Sequence, residues 1–231
     1  LSLTDAALTL REVPEHKRWE LRSDSVFISS TVTRAALAPE LQAETIFTYF
    51  VDAIATDTRT TPYSFVAGVE EETVGIPLGN GDIAINDWLA KDLRVTAGQP
   101  LRLSYRVFGP MRTLEERSVT LNVRAVLPLK GRILDPGLMP AFPGLAETES
   151  CTEWRPGLPI DTNQIRPEDE AYWTSYKGTP KAFVSLPTAR ELWGNQYGEC
   201  TAIRFPTDHF ATAQELERDL LSRLTPEDFD L

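Results

Sequence analysis

The sequence predicts an α+β fold, with strands dominating its first half and strands alternating with helices near its end. Two observations support this prediction. Residues 101–107 and 119–125 alternate apolar and polar side chains, as half-buried antiparallel strands do, and residues 213–224 space their leucines along one helix face. With 231 residues, of which 42% are hydrophobic, the chain can bury the core of one large domain or of two small ones.

The N-terminal part of the chain predicts four strands and one helix. A polar segment at 14–18 separates the first two strands and resembles a hairpin connection, and a loop at 57–62 precedes the fourth strand. The predicted strands are 7–13, 19–23, 45–54 and 63–69, and the predicted helix is 30–41.

The middle of the chain predicts a turn, a short strand, a helix and a strand pair. Turn residues at 79–82 lead into a buried strand at 83–85, and Asn86 is suited to N-cap the helix that follows. The two alternating strands, 101–107 and 119–125, are antiparallel neighbours joined by a polar loop at 109–117.

The composition of residues 130–179 predicts a long ordered segment with little regular secondary structure, which we call the excursion. Its prolines break any regular element, and its large aromatic side chains argue against a flexible linker. Within it, Pro167 suits the first turn of a helix, and we interpret the acidic residues behind it as a solvated helix start favoured by the helix dipole. The expected aromatic anchors are Phe142, Trp154, Tyr172 and Trp173, and the acidic residues are Glu168, Asp169 and Glu170.

The last segment has the clearest pattern, with strands at 182–186 and 201–205 and helices at 188–193 and 213–224. Thr212 and Glu215 have the spacing of a capping box, in which each side chain bonds the other residue's backbone N–H. Pro226 is expected to stop the final helix.

The charge balance argues against nucleic acid as a partner. The chain has 34 acidic and 23 basic side chains, a net charge of −11, which opposes a phosphate backbone and also anionic lipid headgroups. The first ten residues lack the features of a signal peptide, and no apolar run is long enough to span a membrane, so the sequence predicts a water-soluble chain. Because it begins at Leu1, we expect it to be a fragment of a longer protein.

The cysteines and histidines give weak signals. Cys151 and Cys200 fit either one disulfide or two separate buried thiols, because spacing alone cannot decide between them. His16 and His209 stand apart from any metal-ligand spacing, so the sequence predicts no metal site.

The fragments that resemble catalytic motifs lack the flanking elements that those motifs require. We therefore expect that the chain is not an enzyme and binds neither a cofactor nor ATP. The glycines of 79–82 lead into a strand, whereas a phosphate-binding loop opens a helix. Two alternatives remain open. A carbohydrate-binding module would present Trp154, Tyr172 and Trp173 as an exposed platform, and a small hydrolase would need convergent carboxylates, for example around Glu170 or Glu191.

Three stretches resemble the extracytoplasmic domain of FtsX/MacB-type ABC transporter permeases. At 82–93 the chain is similar to the family pattern of a strand, then Asn-x-Trp-Leu-Ala-x-x-Leu, followed by Gly98 and a further strand. Residues 62–67 give a second match. The third and most specific match extends from Ile165 to Phe205 and resembles a subgroup of large permeases.

The resemblance implies a two-lobed MacB-like periplasmic domain that transmits conformational change or engages substrate or partner proteins. It implies a β-rich lobe at 62–129, an α/β lobe formed by 1–61 with 180–231, and the excursion at 130–179. It also implies that the domain lies outside the bacterial inner membrane. The implied partners are its own transmembrane helices, a cytoplasmic ATPase subunit and a second permease copy. Cys200 departs from the apolar residue expected at its position.

Overall fold

The computed structural model describes residues 2–108, 113–155, 157, 159–225 and 228. The chain forms two compact units, which we call unit 1 (residues 1–47 and 194–231) and unit 2 (residues 48–193). The prediction of an α+β fold is confirmed, because both units combine helices with strands. The units do not share their bounds with the lobes expected at 62–129, at 1–61 with 180–231, and at 130–179, and that three-part division stays a prediction.

Unit 1 contains the strands β1 (Leu8–Val13), β2 (Arg18–Ser23) and β9 (Ala202–Pro206), the first residues of β3 (Glu44–Ala55), and the helices α1 (Ser30–Ala36) and α6 (Ala213–Ser222). The strands form an antiparallel sheet in the order β1, β2, β9 and β3. Apolar side chains of the sheet pack with those of both helices in one core, in which Leu21, Phe205 and Leu216 are fully buried.

The predicted hairpin between the first two strands is confirmed. A short 3-10 helix at Pro14–His16 connects them, and Lys17 closes the connection in the left-handed region with φ of 53°. The helix predicted at 30–41 is too long: α1 ends at Ala36, and a separate 3-10 helix forms at Pro39–Leu41. Proline disfavours helical backbone in the residue before it, which explains the break at Ala38.

The capping box predicted for the final helix forms only in part. The Thr212 hydroxyl accepts a hydrogen bond from Glu215 N at 3.2 Å, but the Glu215 carboxylate accepts from Ala211 N rather than from Thr212. The predicted stop at Pro226 lies outside the described residues.

Unit 2 contains a closed six-stranded barrel. Its strand order is β3, β4, β8, β5, β7 and β6, and β6 pairs again with β3 through Ala53–Ala55 and Arg102–Ser104. The pairs β4–β8 and β5–β7 are parallel, whereas β5–β8 and β6–β7 are antiparallel. The further strands are β4 (Thr60–Val69), β5 (Asp82–Asn86), β6 (Pro100–Phe108), β7 (Leu114–Leu127) and β8 (Ala182–Ser185).

The predicted strand pair is confirmed as β6 and β7, whose apolar positions Leu101, Leu103 and Leu121 are buried. Two predicted loops are too long. Strand β4 already begins at Thr60, within the expected loop 57–62, and β7 begins at Leu114, within the expected loop 109–117. Residues 109–112 of that second loop lie outside the described residues.

The helices of unit 2 pack around this barrel. Asn86 N-caps α3, as predicted, because its Oδ1 accepts a hydrogen bond from Leu89 N at 2.8 Å. The excursion contains short 3-10 helices at Gly131–Ile133, Pro136–Leu138, Cys151–Glu153 and Thr162–Gln164. The α-helices of the unit are α2 (Glu71–Val74), α3 (Asp87–Leu93), α4 (Pro167–Tyr176) and α5 (Leu186–Trp193).

Candidate functional site

Four charged side chains of unit 2 form a cluster in which Asp169 and Lys181 are buried and Asp92 and Arg166 are partly buried. We call these four residues the Asp169 network. Asp169 lies in the first turn of α4, as the predicted helix start at Pro167 requires. Its Oδ2 accepts hydrogen bonds from Arg166 N at 3.1 Å and from Arg166 Nε at 2.8 Å. The helix cap therefore also forms the first contact of the network.

The Arg166 guanidinium bonds two carboxylates at once. Its Nη2 donates to Asp169 Oδ1 at 2.9 Å and to Asp92 Oδ2 at 2.7 Å, and its Nη1 donates to Asp92 Oδ1 at 3.1 Å. Asp92 lies near the end of α3 and also accepts a bond from the Thr61 hydroxyl on β4. A planar guanidinium suits such paired contacts, which fix orientation as well as charge. Arg166 thus links α4 to α3, and Asp92 extends the link to β4.

Lys181 closes the network from the barrel side. Its Nζ lies 3.3 Å from Asp169 Oδ1, with both side chains 6% exposed. The same ammonium lies 4.5 Å from the ring centroid of Trp88 and 5.0 Å from that of Tyr172, close enough for cation–π attraction. Its backbone N–H donates to Phe65 O, so the position of Lys181 is fixed by hydrogen bonding to β4.

The electrostatics of the network follow from burial and pairing. Burial lowers the pKa of Lys181, and the charge of Asp169 opposes that change. Burial also acts to raise the pKa of Asp169, but hydrogen bonds from Arg166 and the charge of Lys181 outweigh it, so the pKa of Asp169 stays below its ordinary value. Asp169 is therefore a paired carboxylate anion at neutral pH. The expectation of a solvated helix start is wrong for this residue.

The three rings considered as an exposed platform are buried. Trp154, Tyr172 and Trp173 are 5%, 4% and 3% exposed. Trp154 and Trp173 meet edge to face at 4.9 Å and belong to one aromatic cluster with Phe50 on β3. Because sugar stacking needs an exposed ring face, these residues do not form the surface that a carbohydrate-binding module requires.

These rings also surround a small cavity of about 20 Å³ next to Lys181 and Asp169. Two buried polar atoms at its wall, Trp154 Nε1 and Thr179 Oγ1, make no hydrogen bond within the described structure. A volume of this size fits about one water molecule, which is too small for a substrate.

The cysteines are buried in different units, Cys151 in unit 2 and Cys200 in unit 1. The structure forms no disulfide between them, and the disulfide stays a prediction. Burial raises the pKa of the Cys151 thiol, and the neighbouring Glu170 carboxylate adds to the effect. Glu170 Oε2 accepts a hydrogen bond from Cys151 N at 2.9 Å, which is a structural contact rather than an acid–base pair.

A second set of charges crosses the sheet of unit 1. The ladder places Arg11 opposite Glu20, Glu20 opposite Arg204, and Arg204 opposite Glu44. We call these four residues the Glu20 row. Arg11 Nε lies 2.8 Å from Glu20 Oε1 and Arg204 Nε lies 2.6 Å from Glu20 Oε2, while Arg22 Nε also contacts Glu20 at 2.9 Å. Glu20 is fully buried, so its charge is compensated by several arginines at once.

Sequence reasoning missed both charge clusters. Two signals were present: Arg204 lies inside the apolar run of a predicted strand, and Lys181 directly precedes another. A charge at such a position needs a buried partner of opposite sign. The identity of the partner was not readable, because Glu20 is distant from Arg204 in the sequence.

The arrangement of the Asp169 network suits positioning rather than chemistry. Its charges are satisfied by one another, and together they fasten the excursion to α3 and the barrel. Within the described ranges, no three histidine, cysteine or acidic side chains are grouped as metal ligands. None of the helices described in the structure is both long and apolar enough to cross a membrane.

No protein-family model and no curated protein matches the sequence. Among solved structures, the periplasmic region of MacB from Actinobacillus actinomycetemcomitans is similar over 86% of this chain and 73% of its own, with 8% identity and a TM-score of 0.45. A domain of a protein described as a permease, from Porphyromonas gingivalis, is similar over 92% of this chain and 82% of its own, with 13% identity and a TM-score of 0.45.

Proposed function

We propose that this chain is the extracytoplasmic domain of an ABC transporter permease, and that it transmits conformational change or engages a substrate or partner protein without catalysing a reaction. In this proposal its flanking segments are transmembrane helices in the bacterial inner membrane. A cytoplasmic ATPase acts on it indirectly through those helices, and a second permease copy lies beside it.

The observation that carries the proposal is the packing of the first and last described elements together. Leu3 N donates to Glu217 Oε1 of α6 at 3.1 Å, and Leu3 shares one buried core with Leu216 and Leu220. Unit 1 is thus assembled from both ends of the chain, whereas unit 2 is one continuous segment. Chain ends that lie on the same unit allow a domain to be inserted between two other segments, as this proposal requires.

Three carboxylates of unit 2 make structural contacts. In the described part of the chain, the carboxylates of the Asp169 network are both bonded to Arg166, and Glu170 is bonded to the backbone of Cys151. The proposed role requires no reactive group, because a domain can act through its surfaces and through different affinities of its conformations.

Membrane fractionation of the complete gene product tests the location. We expect the product to sediment with the inner membrane, and protease added to spheroplasts to cut within this domain. Recovery of the complete product in the soluble fraction, or full protection from external protease, would contradict the proposal.

Distance measurement tests the relay. A spin label at the exposed Arg218 of unit 1, introduced as Arg218→Cys, reports the separation from the equivalent site on the second permease copy. We expect the distance distribution to differ between the ATP-bound and nucleotide-free transporter. Labels at Glu72 and Lys91, both exposed and within unit 2, form the control pair and should keep their separation. An Arg218 distance that is the same in both nucleotide states would count against transmission.

A further inference from the structure

A larger cavity in unit 2, of about 500 Å³, opens at one end of the barrel. The connection between β3 and β4, the residues that follow α3, and the first residues of β6 form its walls. Cavities of about 300–1,000 Å³ are typical of small-molecule sites. None of the four residues of the Asp169 network lines this cavity, although Asp92 directly precedes Leu93 of its wall.

Three arginines line the cavity: Arg59, Arg94 and Arg102. Among the described residues of its wall, Asp57 alone carries a negative charge, so three positive charges face one negative charge. The whole chain has a net charge of −11, and the cavity therefore reverses the sign of the surrounding protein. Guanidinium groups bind carboxylate and phosphate oxygens through paired hydrogen bonds.

The framework holds two of these arginines in place. Arg59 Nη1 donates to the backbone carbonyl of Asp92 at 3.1 Å, which fixes its guanidinium at the cavity wall. Arg102 lies in register with Ala55 on one side and Thr120 on the other, and both neighbours also line the cavity.

Arg94 occupies a strained backbone position. It ends α3 in the left-handed region with φ of 53°, where glycine is the usual residue because it has no Cβ. An arginine at this position makes the fold less stable than a glycine would, but it adds a third positive charge to the cavity wall.

We propose that this cavity binds a small molecule that carries two or more carboxylate or phosphate groups. Arg94 and Arg102 contact the anionic groups, and Arg59 supplies a third, fixed charge. The limited volume favours a small molecule over a segment of a partner protein. The inference is independent of the transporter proposal, because it depends only on unit 2.

Calorimetric titration of the full 231-residue chain at about 0.1 M salt, where charges more than about 10 Å apart are screened, tests the inference, with pyrophosphate and citrate as probes. We expect at least one probe to bind, and Arg102→Gln to weaken that binding about tenfold or more, as expected for loss of a charge-assisted hydrogen bond. Arg94→Gly should weaken binding similarly while the urea midpoint stays the same or rises, because glycine relieves the backbone strain.

Arg124→Gln is the matched control. Arg124 is exposed on β7 and does not line the cavity. The substitution therefore removes one positive charge, as Arg102→Gln does, but leaves the cavity wall unchanged. Its effect on probe binding should stay below about twofold, as a distant screened charge. Equal weakening of probe binding in all three variants would show that only the net charge of the chain matters, and it would overturn the proposal. Binding of neither probe at millimolar concentration would overturn it too, as would binding of a tetraglutamate peptide alone, which would indicate a protein segment as the ligand.

Discussion

The Glu20 row of unit 1 and the Asp169 network of unit 2 both bury carboxylates against arginine, but they connect different things. The Glu20 row joins strands that the backbone ladder already pairs. The Asp169 network joins two helices and the residue before β8, elements with no ladder between them. Buried charge pairs therefore reinforce a sheet in unit 1, whereas in unit 2 they connect elements that no backbone pairing joins. The consequences of breaking them should therefore differ in size and in place.

Removing the charge of Glu20 should have the largest effect. Glu20→Gln removes the fully buried carboxylate that Arg204 Nε contacts at 2.6 Å, and we expect a loss of about 3–5 kcal/mol in unfolding free energy. Urea titration measures the loss. Glu44→Gln is the matched control in the same row; its side chain is 24% exposed, so it should cost less than about 1 kcal/mol. Equal costs for the two variants would refute the distinction.

Asp169→Asn should cost somewhat less, about 3 kcal/mol, because Arg166 keeps its bonds to Asp92 while Lys181 loses its anion. Hydrogen exchange should show the damage in α4 and the excursion rather than across the barrel. Glu168→Gln, at the exposed position before it, should cost less than about 1 kcal/mol. Uniform loss of protection throughout unit 2 would contradict a local fastening role.

Lys181→Met should be milder still, about 1 kcal/mol or less, since Asp169 remains bonded to Arg166 and an apolar side chain replaces a buried cation. Urea titration alongside Asp169→Asn gives the ranking. If Lys181→Met proved the more damaging of the two, Lys181 rather than Arg166 would be the essential partner of Asp169.

The thiols should give the smallest signal under native conditions. Because Cys151 and Cys200 are buried, and burial raises the pKa of Cys151, we expect almost no reaction of the native chain with a thiol reagent. After unfolding in urea without reductant, two thiols should react per chain. A count of zero would establish the disulfide instead.

Local patterns in the sequence predicted much of the fold. The alternation at 101–107 and the N-cap at Asn86 both describe neighbours in the chain, and both were correct. The break in α1 was missed because the apolar pattern continues past Ala38, although Pro39 was a local warning. The parallel pairing of β4 with β8, and hence the closed barrel, was beyond local reasoning, since it joins segments far apart in sequence.

The candidate site was less predictable for the same reason. Asp169 was identified as part of an acidic helix start, a correct local statement, but its burial depends on Arg166 packing against Asp92 and on Lys181 arriving from the barrel. The aromatic rings were recognised as anchors, yet their burial depends on a cluster that includes residues of β3 and β4. The fold determines which side chains far apart in the sequence contact one another, and local patterns in a single sequence do not predict those contacts.

The pairing of β6 with β3 closes the barrel and limits the pairing of its strands with those of other copies of the chain. Each described strand of the barrel has a neighbour on both sides over part of its length, but residues 114–121 of β7 pair with β6 alone. The charged Glu115, Glu116 and Arg117 on that stretch discourage the addition of a foreign strand. In unit 1, β1 pairs on one side with β2 alone, and its charged Arg11 and Glu12 discourage strand addition there. Such a domain can be crowded at high local concentration with little tendency to exchange strands or aggregate.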